Sequence, residues 1–350
     1  MLNDKPDCRE FDDEGCRGGS ILVIRSVVGG MVMADSVRAV VFDKALRVIT
    51  RPYPVREPGE ALIKLRLAGI CNTDLELLDG YKGFSGQLGH EFVGDVIDGP
   101  PEWLGRRVVG EINVACGACD MCTRRIPTHC RERRVLGILN YDGAFADVFR
   151  LPLQNLHAVP DTLTDVQAVF VEPLAAACQI LEAAPIQPTD RVVLIGAGKL
   201  GLLCAQVLRL TGAALSVVVR RKRQARLLAA WGVPAVARDD VPDGSADMVV
   251  DCTGNAQGFA AALDIVRPRG TLVLKSTYHG LPQADLTRIA VNEIRVIGSR
   301  CGPFDAALRL LSQGLIDVAP LVEARYSLAD AVDALGYAAR PGMLKVLIEP

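Results

Sequence analysis

Four cysteines crowd one short stretch, Cys116-Gly-Ala-Cys119-Asp-Met-Cys122 with Cys130 soon after. Thiolates at C-x-x-C spacing can reach a single ion, and a closed shell of four sulfurs is the structural type of zinc site. A second set is scattered: Cys71 in Ile70-Cys71-Asn72-Thr73-Asp74, His90 and Glu91 in Gly89-His90-Glu91, and Glu172 in Val171-Glu172-Pro173-Leu174. One thiolate, one imidazole and one carboxylate would leave the fourth position of a zinc ion open, as a catalytic site requires. Singly these residues say little, and the isolated His129, His157 and His279 read as ordinary core or loop residues.

A third motif supplies a place for a nucleotide. Val192-Val-Leu-Ile195 runs straight into Gly196, Gly198 and Gly201 at G-x-G-x-x-G spacing, followed by the apolar Leu202–Leu210. Strand, glycine turn and helix are the required context. The first glycine permits the tight turn, the second lets a pyrophosphate approach the backbone, and the third lets helix and strand pack. Lys199 and Leu200 lie in the turn, whose free N–H groups and helix dipole favour phosphate.

The nicotinamide type is legible one strand later. An NAD site ends its second strand with an acid for the ribose 2′-hydroxyl. Here Val217-Val-Val219 meets Arg220-Arg221-Lys222-Arg223, with guanidinium forks suited to a 2′-phosphate, so NADP is expected over NAD. Thr253, Ser276 and Thr277 stand as small polar residues at later strand ends.

Composition limits the alternatives. The chain of 350 residues is long enough for two domains, half its residues are hydrophobic, and the net charge is −2. That balance gives no electrostatic reason to bind nucleic acid or an anionic membrane, so Arg124, Arg125, Arg131, Arg133 and Arg134 read as a solvated surface, not a zinc-ribbon reader. Eleven cysteines behind an acidic N-terminal stretch suggest thiols in a reducing, cytoplasmic setting. The apolar run near Ile21–Val28 is too short to span a bilayer. Residues 1–35 read as a disordered extension. Short strands follow, at Val37–Phe42, Ala61–Leu67 (alternating, hence half-buried), Arg107–Ile112 and Phe145–Phe149. From about residue 175 strands and helices alternate, at Leu215–Val219, Met248–Val250, Thr271–Leu274 and Ile294–Ile297, and Leu344–Ile348 ends the chain as a strand. That alternation is the texture of a doubly wound parallel sheet.

Taken in chain order, Cys71 with a hydroxyl two residues on, Gly89-His90-Glu91, the four-cysteine stretch, Glu172-Pro173-Leu174 and the glycine turn resemble the zinc-dependent medium-chain dehydrogenases/reductases, the alcohol dehydrogenase superfamily. The similarity runs from about residue 37 to the end. It implies an α/β protein with a GroES-like β catalytic domain from 36–174 and 301–350 and a Rossmann domain from 175–300. It implies two zinc ions per chain, one held by Cys116, Cys119, Cys122 and Cys130, the other by Cys71, His90 and either Glu91 or Glu172. The glutamate at 172 resembles the polyol, glucose and threonine dehydrogenase branch. Asp74 matches a carboxylate that orients the zinc histidine, Thr73 the hydroxyl that relays the alcohol proton, and Lys345 a basic residue that reaches the pyrophosphate or Glu91. Where relatives carry a histidine three residues beyond that hydroxyl, this chain has Glu76, so Glu76 or water would end the relay. The activity implied is reversible hydride transfer between a small alcohol and NAD(P) by a homodimer or homotetramer. The alternatives are a carbonyl reductase working from NADPH and a non-catalytic zinc-binding relative.

Overall fold

The computed structural model describes residues 36–278 and 282–350, so the extension before Ser36 and His279 lie outside the described residues. Ser36–Pro350 form one compact unit. Its first half is built on a seven-stranded sheet in which Glu60–Gly69 is central, paired antiparallel with Glu91–Asp98, Val148–Pro152 and the C-terminal Lys345–Glu349. The chain end thus returns to the sheet of the first half. Arg107–Gly110 and Leu156–Ala158 extend one edge and Val322–Ser327 the other. A small sheet of Ala45–Pro52, Ser36–Asp43 and Gly86–Gln87 lies alongside.

The alternation in Ala61–Leu67 predicts a strand wet on one face. In the structure Lys64 and Arg66 are exposed on that face as the alternation requires, while Leu62 on the same face is covered by Val37 and Val148. The expected strand Phe145–Phe149 begins later, at Val148. Phe145 is fully buried in the core instead, against the backbone of Gly89.

The second half is a six-stranded sheet in the order Ala235–Val236, Ala214–Val218, Arg191–Ile195, Ala246–Asp251, Val266–Leu274, Arg295–Gly298, parallel throughout. Val192–Ile195 are buried at its centre, which explains the unbroken apolar run. The helix Lys199–Arg209 behind it is buried from Gly201 to Leu208. One continuous core joins the halves: Leu67, Val93 and Leu347 pack in the same cluster as Leu194, Leu202 and Val250. Among the described residues no helix is long and apolar enough to cross a membrane.

Candidate metal and cofactor site

Cys71 closes the central strand and caps the short helix Asn72–Leu78, where its backbone N–H donates to Asp74 Oδ2 at 2.8 Å. That bond turns Asp74 inward, fully buried, so that its other oxygen faces His90 Nδ1 at 3.4 Å. At that distance the two atoms form an ion-pair contact, not a hydrogen bond, and each is otherwise unpartnered. Burial pushes His90 toward its neutral form, but Asp74 and Cys71 outweigh it and hold the imidazole well above its ordinary value. Thr73 Oγ1 lies 3.8 Å from Cys71 Sγ.

His90 leads directly into the strand Glu91–Asp98, which carries Glu91 beside it. The ligand atoms of Cys71, His90 and Glu91 lie within 4.8 Å of one another. Glu91 Oε2 accepts from Lys345, which also donates to the Ile70 carbonyl at 3.4 Å, while Glu91 Oε1 is buried without a partner. A side chain at Gly69 would reach within 2.6 Å of Glu91 Oε2, so the ion pair needs a glycine there. Glu172 lies outside the compact group. Pro173 belongs to the first turn of the helix Val171–Ala183, where its missing N–H costs nothing, and Glu172 precedes it, half-buried. Burial pushes Glu172 up to about 7, against the opposing charge of His90 and with that of Glu91.

In the cysteine lobe, Cys119 Sγ is 3.5 Å from Cys122 and 3.8 Å from Cys130, and Cys116 is 4.0 Å from Cys122. Zinc–sulfur bonds of about 2.3 Å at tetrahedral angles place sulfurs about 3.8 Å apart, so the four thiols fit a zinc ion. The Arg131 N–H donates to Cys119 Sγ at 3.4 Å, and such backbone donors lower its thiol to about 6.

The glycine turn is built as its spacing requires. Gly196 is left-handed at φ +98°, and a Cβ on Gly201 would come within 1.8 Å of the Gly196 carbonyl oxygen. A Cβ on Gly198 would meet nothing, which leaves open space over the N-terminus of the helix. Lys199 begins that helix, and its Nζ is buried without a partner. Burial lowers its pKa, as does Lys345, against the opposing charges of Cys71, Glu91 and Asp74. The two lysines therefore converge from the two halves upon the metal-ligand group. Leu200 packs against the shared core.

Arg220 is exposed just past the strand Ala214–Val218. Arg221 lies against Gly342, where any Cβ would collide with its guanidinium. Arg223, by contrast, is engaged by both oxygens of Glu323 at 3.0 and 2.7 Å. Thr253 neighbours the glycine turn, but its hydroxyl already donates to Asp251 at 2.7 Å. Glu76 does not face the ligand group alone: it accepts from Asn72 at 2.8 Å and, across the cleft, from Thr277 at 3.0 Å.

The sequence reading passed over Lys275. This buried lysine ends an apolar strand and donates to the carbonyls of Ser299 and Arg300 at 3.2 and 2.8 Å. A charge closing the run Thr271–Leu274 was the available signal.

Two family models match the chain, the alcohol dehydrogenase GroES-like domain over residues 57–161 and the zinc-binding dehydrogenase over residues 200–313. An L-threonine 3-dehydrogenase of Streptomyces coelicolor is 32% identical over 85% of this chain and 94% of its own. The chain belongs to the zinc-dependent medium-chain dehydrogenase/reductase superfamily. A sorbitol dehydrogenase of Halalkalibacterium halodurans is 29% identical over 86% of this chain and 94% of its own. A zinc-binding dehydrogenase of Sinorhizobium meliloti 1021, solved with NADP bound, superposes with a TM-score of 0.83 at 29% identity, covering 91% of this chain and all of that one. The fold is accordingly a GroES-like domain with a Rossmann domain, and the protein is an NAD(P)-dependent alcohol oxidoreductase of the zinc-dependent type.

Proposed function

We propose that this dehydrogenase oxidises a polyol or similar small alcohol reversibly, with NADP preferred over NAD. The observation that carries the cofactor preference is the end of the strand Ala214–Val218. No acid stands there, and Arg220, Arg221 and Lys222 form no ion pair among the described residues. Their free donors suit a 2′-phosphate, while Arg223 is spent on Glu323. Steady-state kinetics with both cofactors test it. The expected result is a higher kcat/KM for NADP that falls at least tenfold in Arg220→Asp; a preference for NAD that ignores the substitution would overturn it.

Two metal sites are proposed. Cys116, Cys119, Cys122 and Cys130 suit a structural zinc, and Cys71, His90 and Glu91 suit the catalytic one, with Glu172 beside them. The support for Glu91 over Glu172 as third donor is its place in the compact group and its unpartnered Oε1. A zinc ion there supplies Lewis acidity to the alcohol oxygen. The chain's own part is to hold the substrate hydroxyl beside Thr73, which relays the proton, to seat the pyrophosphate over the glycine turn and to place the nicotinamide at the later strand ends near Thr253. Lys199, in the first turn of the helix after the glycine turn and with its Nζ unpartnered, is the cation offered to the pyrophosphate, while Lys345 is held by Glu91. Glu76 is proposed to end the proton relay once a cofactor ribose takes the place of Thr277. Asp74 acts through His90: Asp74→Asn is expected to weaken metal retention about 10- to 100-fold. Metal content after dialysis against a weak chelator checks this, and unaltered retention would remove the role.

The polyol reading draws on the relatives' substrates. Nine free thiols among the described residues suit a reducing compartment such as the cytoplasm. A homodimer or homotetramer is supported by the unpaired edge strand Arg295–Gly298, with Val296 41% exposed and, nearby in sequence, Leu286 at 71% and Val291 at 75%.

A further inference from the structure

A lysine follows the strand Val266–Leu274 with its side chain turned into the protein. Lys275 is 6% exposed, and its ammonium donates to the Ser299 carbonyl at 3.2 Å, the Ser299 hydroxyl at 3.1 Å and the Arg300 carbonyl at 2.8 Å. These acceptors lie where the sheet runs out. Ser299 N–H still donates to the Leu274 carbonyl at 3.0 Å, but the strand has ended at Gly298 and the chain leaves for the helix Phe304–Ser312. On the way a Cβ at Gly302 would come within 1.9 Å of the Ala175 carbonyl oxygen, so the segment is wedged against the helix Val171–Ala183, which carries Glu172.

Carbonyls at a buried strand end need donors, and one ammonium supplies three. An uncharged amide could serve both carbonyls, however, and a buried charge without a counter-charge is costly. Among the described residues the one lysine in an ion pair is Lys345, with Glu91, so Lys275 has no carboxylate at pairing distance. Burial lowers its pKa, and the three acceptors oppose that by binding the protonated form.

The place of this charge gives it something to act on. Lys275 N–H donates to the Asp251 carbonyl at 2.9 Å, which ties it to the strand end that leads to Thr253. The next two residues pass Gly254, where a Cβ would lie 3.4 Å from Ser276 Cβ and 2.9 Å from the Thr277 carbonyl oxygen, and Thr277 then donates to Glu76 across the cleft at 3.0 Å. Three neighbouring parallel strands thus end together, at Asp251, Leu274 and Gly298, on the side where such sheets take their ligands. Lys275 stands at the middle one. An oxidised nicotinamide ring carries a positive charge and the reduced ring does not, because the hydride it gains brings two electrons with one proton. A fixed cation nearby therefore opposes the oxidised form alone.

We infer that Lys275 sets the balance between the two forms of the cofactor: it holds Ser299 and Arg300 as a wall beside the nicotinamide, and its charge favours the reduced ring over the oxidised one. The inference rests on the proposed seat of the nicotinamide near Thr253, and on neither the preference for NADP nor the choice of metal ligands. At an effective dielectric of about 20, one unit charge acting on another at about 10 Å corresponds to about 3- to 30-fold in affinity.

The test measures dissociation constants of the zinc-loaded protein for the oxidised and reduced forms of whichever dinucleotide, NADP or NAD, binds the tighter, by calorimetry and by fluorescence of the reduced ring. In Lys275→Met the oxidised form should gain about 3- to 30-fold on the reduced form, even as both weaken with the loss of the three bonds. Lys275→Gln, which keeps donors for the carbonyls without the charge, should show the same shift and serves if the methionine variant does not fold. Lys275→Arg, which keeps the charge, should keep the parent's ratio. Unchanged zinc content shows that the metal's own charge is constant. A ratio at the parent's value in the neutral variants overturns the inference, as does an equal shift in Lys275→Arg, since a lysine that only braces the backbone moves both forms alike. Ring fluorescence altered on binding, with an unmoved ratio, sinks the inference alone; a reduced cofactor that binds with its fluorescence unaltered has its ring in solvent and overturns the proposed seat as well.

Discussion

Cys71→Ala is expected to remove one of two zinc equivalents per chain and to lower kcat/KM by at least about a thousandfold, since Lewis-acid activation contributes several kcal/mol. The fold should survive. Cys71 caps its helix through a backbone N–H that alanine retains, donating to Asp74 at 2.8 Å, and its side chain is only half-buried. The lost sulfur breaks the group whose donors lie within 4.8 Å and leaves His90 and Glu91 to hold the ion. Metal analysis together with kinetics checks the result, and a thermal midpoint within a few degrees of the parent shows that the loss is local. A variant with both zinc equivalents and full activity would sink the assignment.

What the sequence could disclose follows from the range of the contacts. The glycine turn was legible because all its requirements are local: the left-handed Gly196 and the crowded Gly201 lie within six residues of each other. The four cysteines were legible for the same reason. In the strand Glu60–Gly69 the exposure of Lys64 and Arg66 was legible from the alternation, but burial of Leu62 on the same face was not, because Val37 and Val148, which cover it, lie elsewhere in the chain. Glu76 reads from its spacing as a relay end, yet its carboxylate is taken by Thr277, 201 residues away, a pairing that only the approach of the two halves creates. The meeting of Arg133 and Arg300 at the Thr128 carbonyl is of that kind too. Each arginine looks like one more surface charge until the return of the chain past Arg295–Gly298 brings them to one carbonyl.

The lobe carrying the other cysteines should respond quite differently to loss of a ligand. Between Ala115 and Arg134 only Cys130 is buried, and the segment contains one helical turn, Asp120–Thr123, and one tighter turn, Pro127–His129. Ile126 is 42% exposed. Such a segment has no apolar core to oppose its chain entropy, so a cross-link must hold it. Closing a loop the length of Cys116 to Cys130 is worth about 3 kcal/mol, which sets the scale of what zinc contributes there. Cys119→Ser should therefore release one zinc equivalent and raise the rate of proteolytic cleavage within the lobe by roughly a hundredfold, as an opening equilibrium shifted by that energy requires. Arg124, Arg125, Arg131, Arg133 and Arg134 make trypsin the suitable protease. Cleavage at the parent rate with one zinc equivalent lost would show that the lobe holds without the metal, and both equivalents retained would remove Cys119 from the ligand set. Because Cys71→Ala should leave that cleavage rate unchanged while removing its own equivalent of zinc, the two variants together assign each ion to its site.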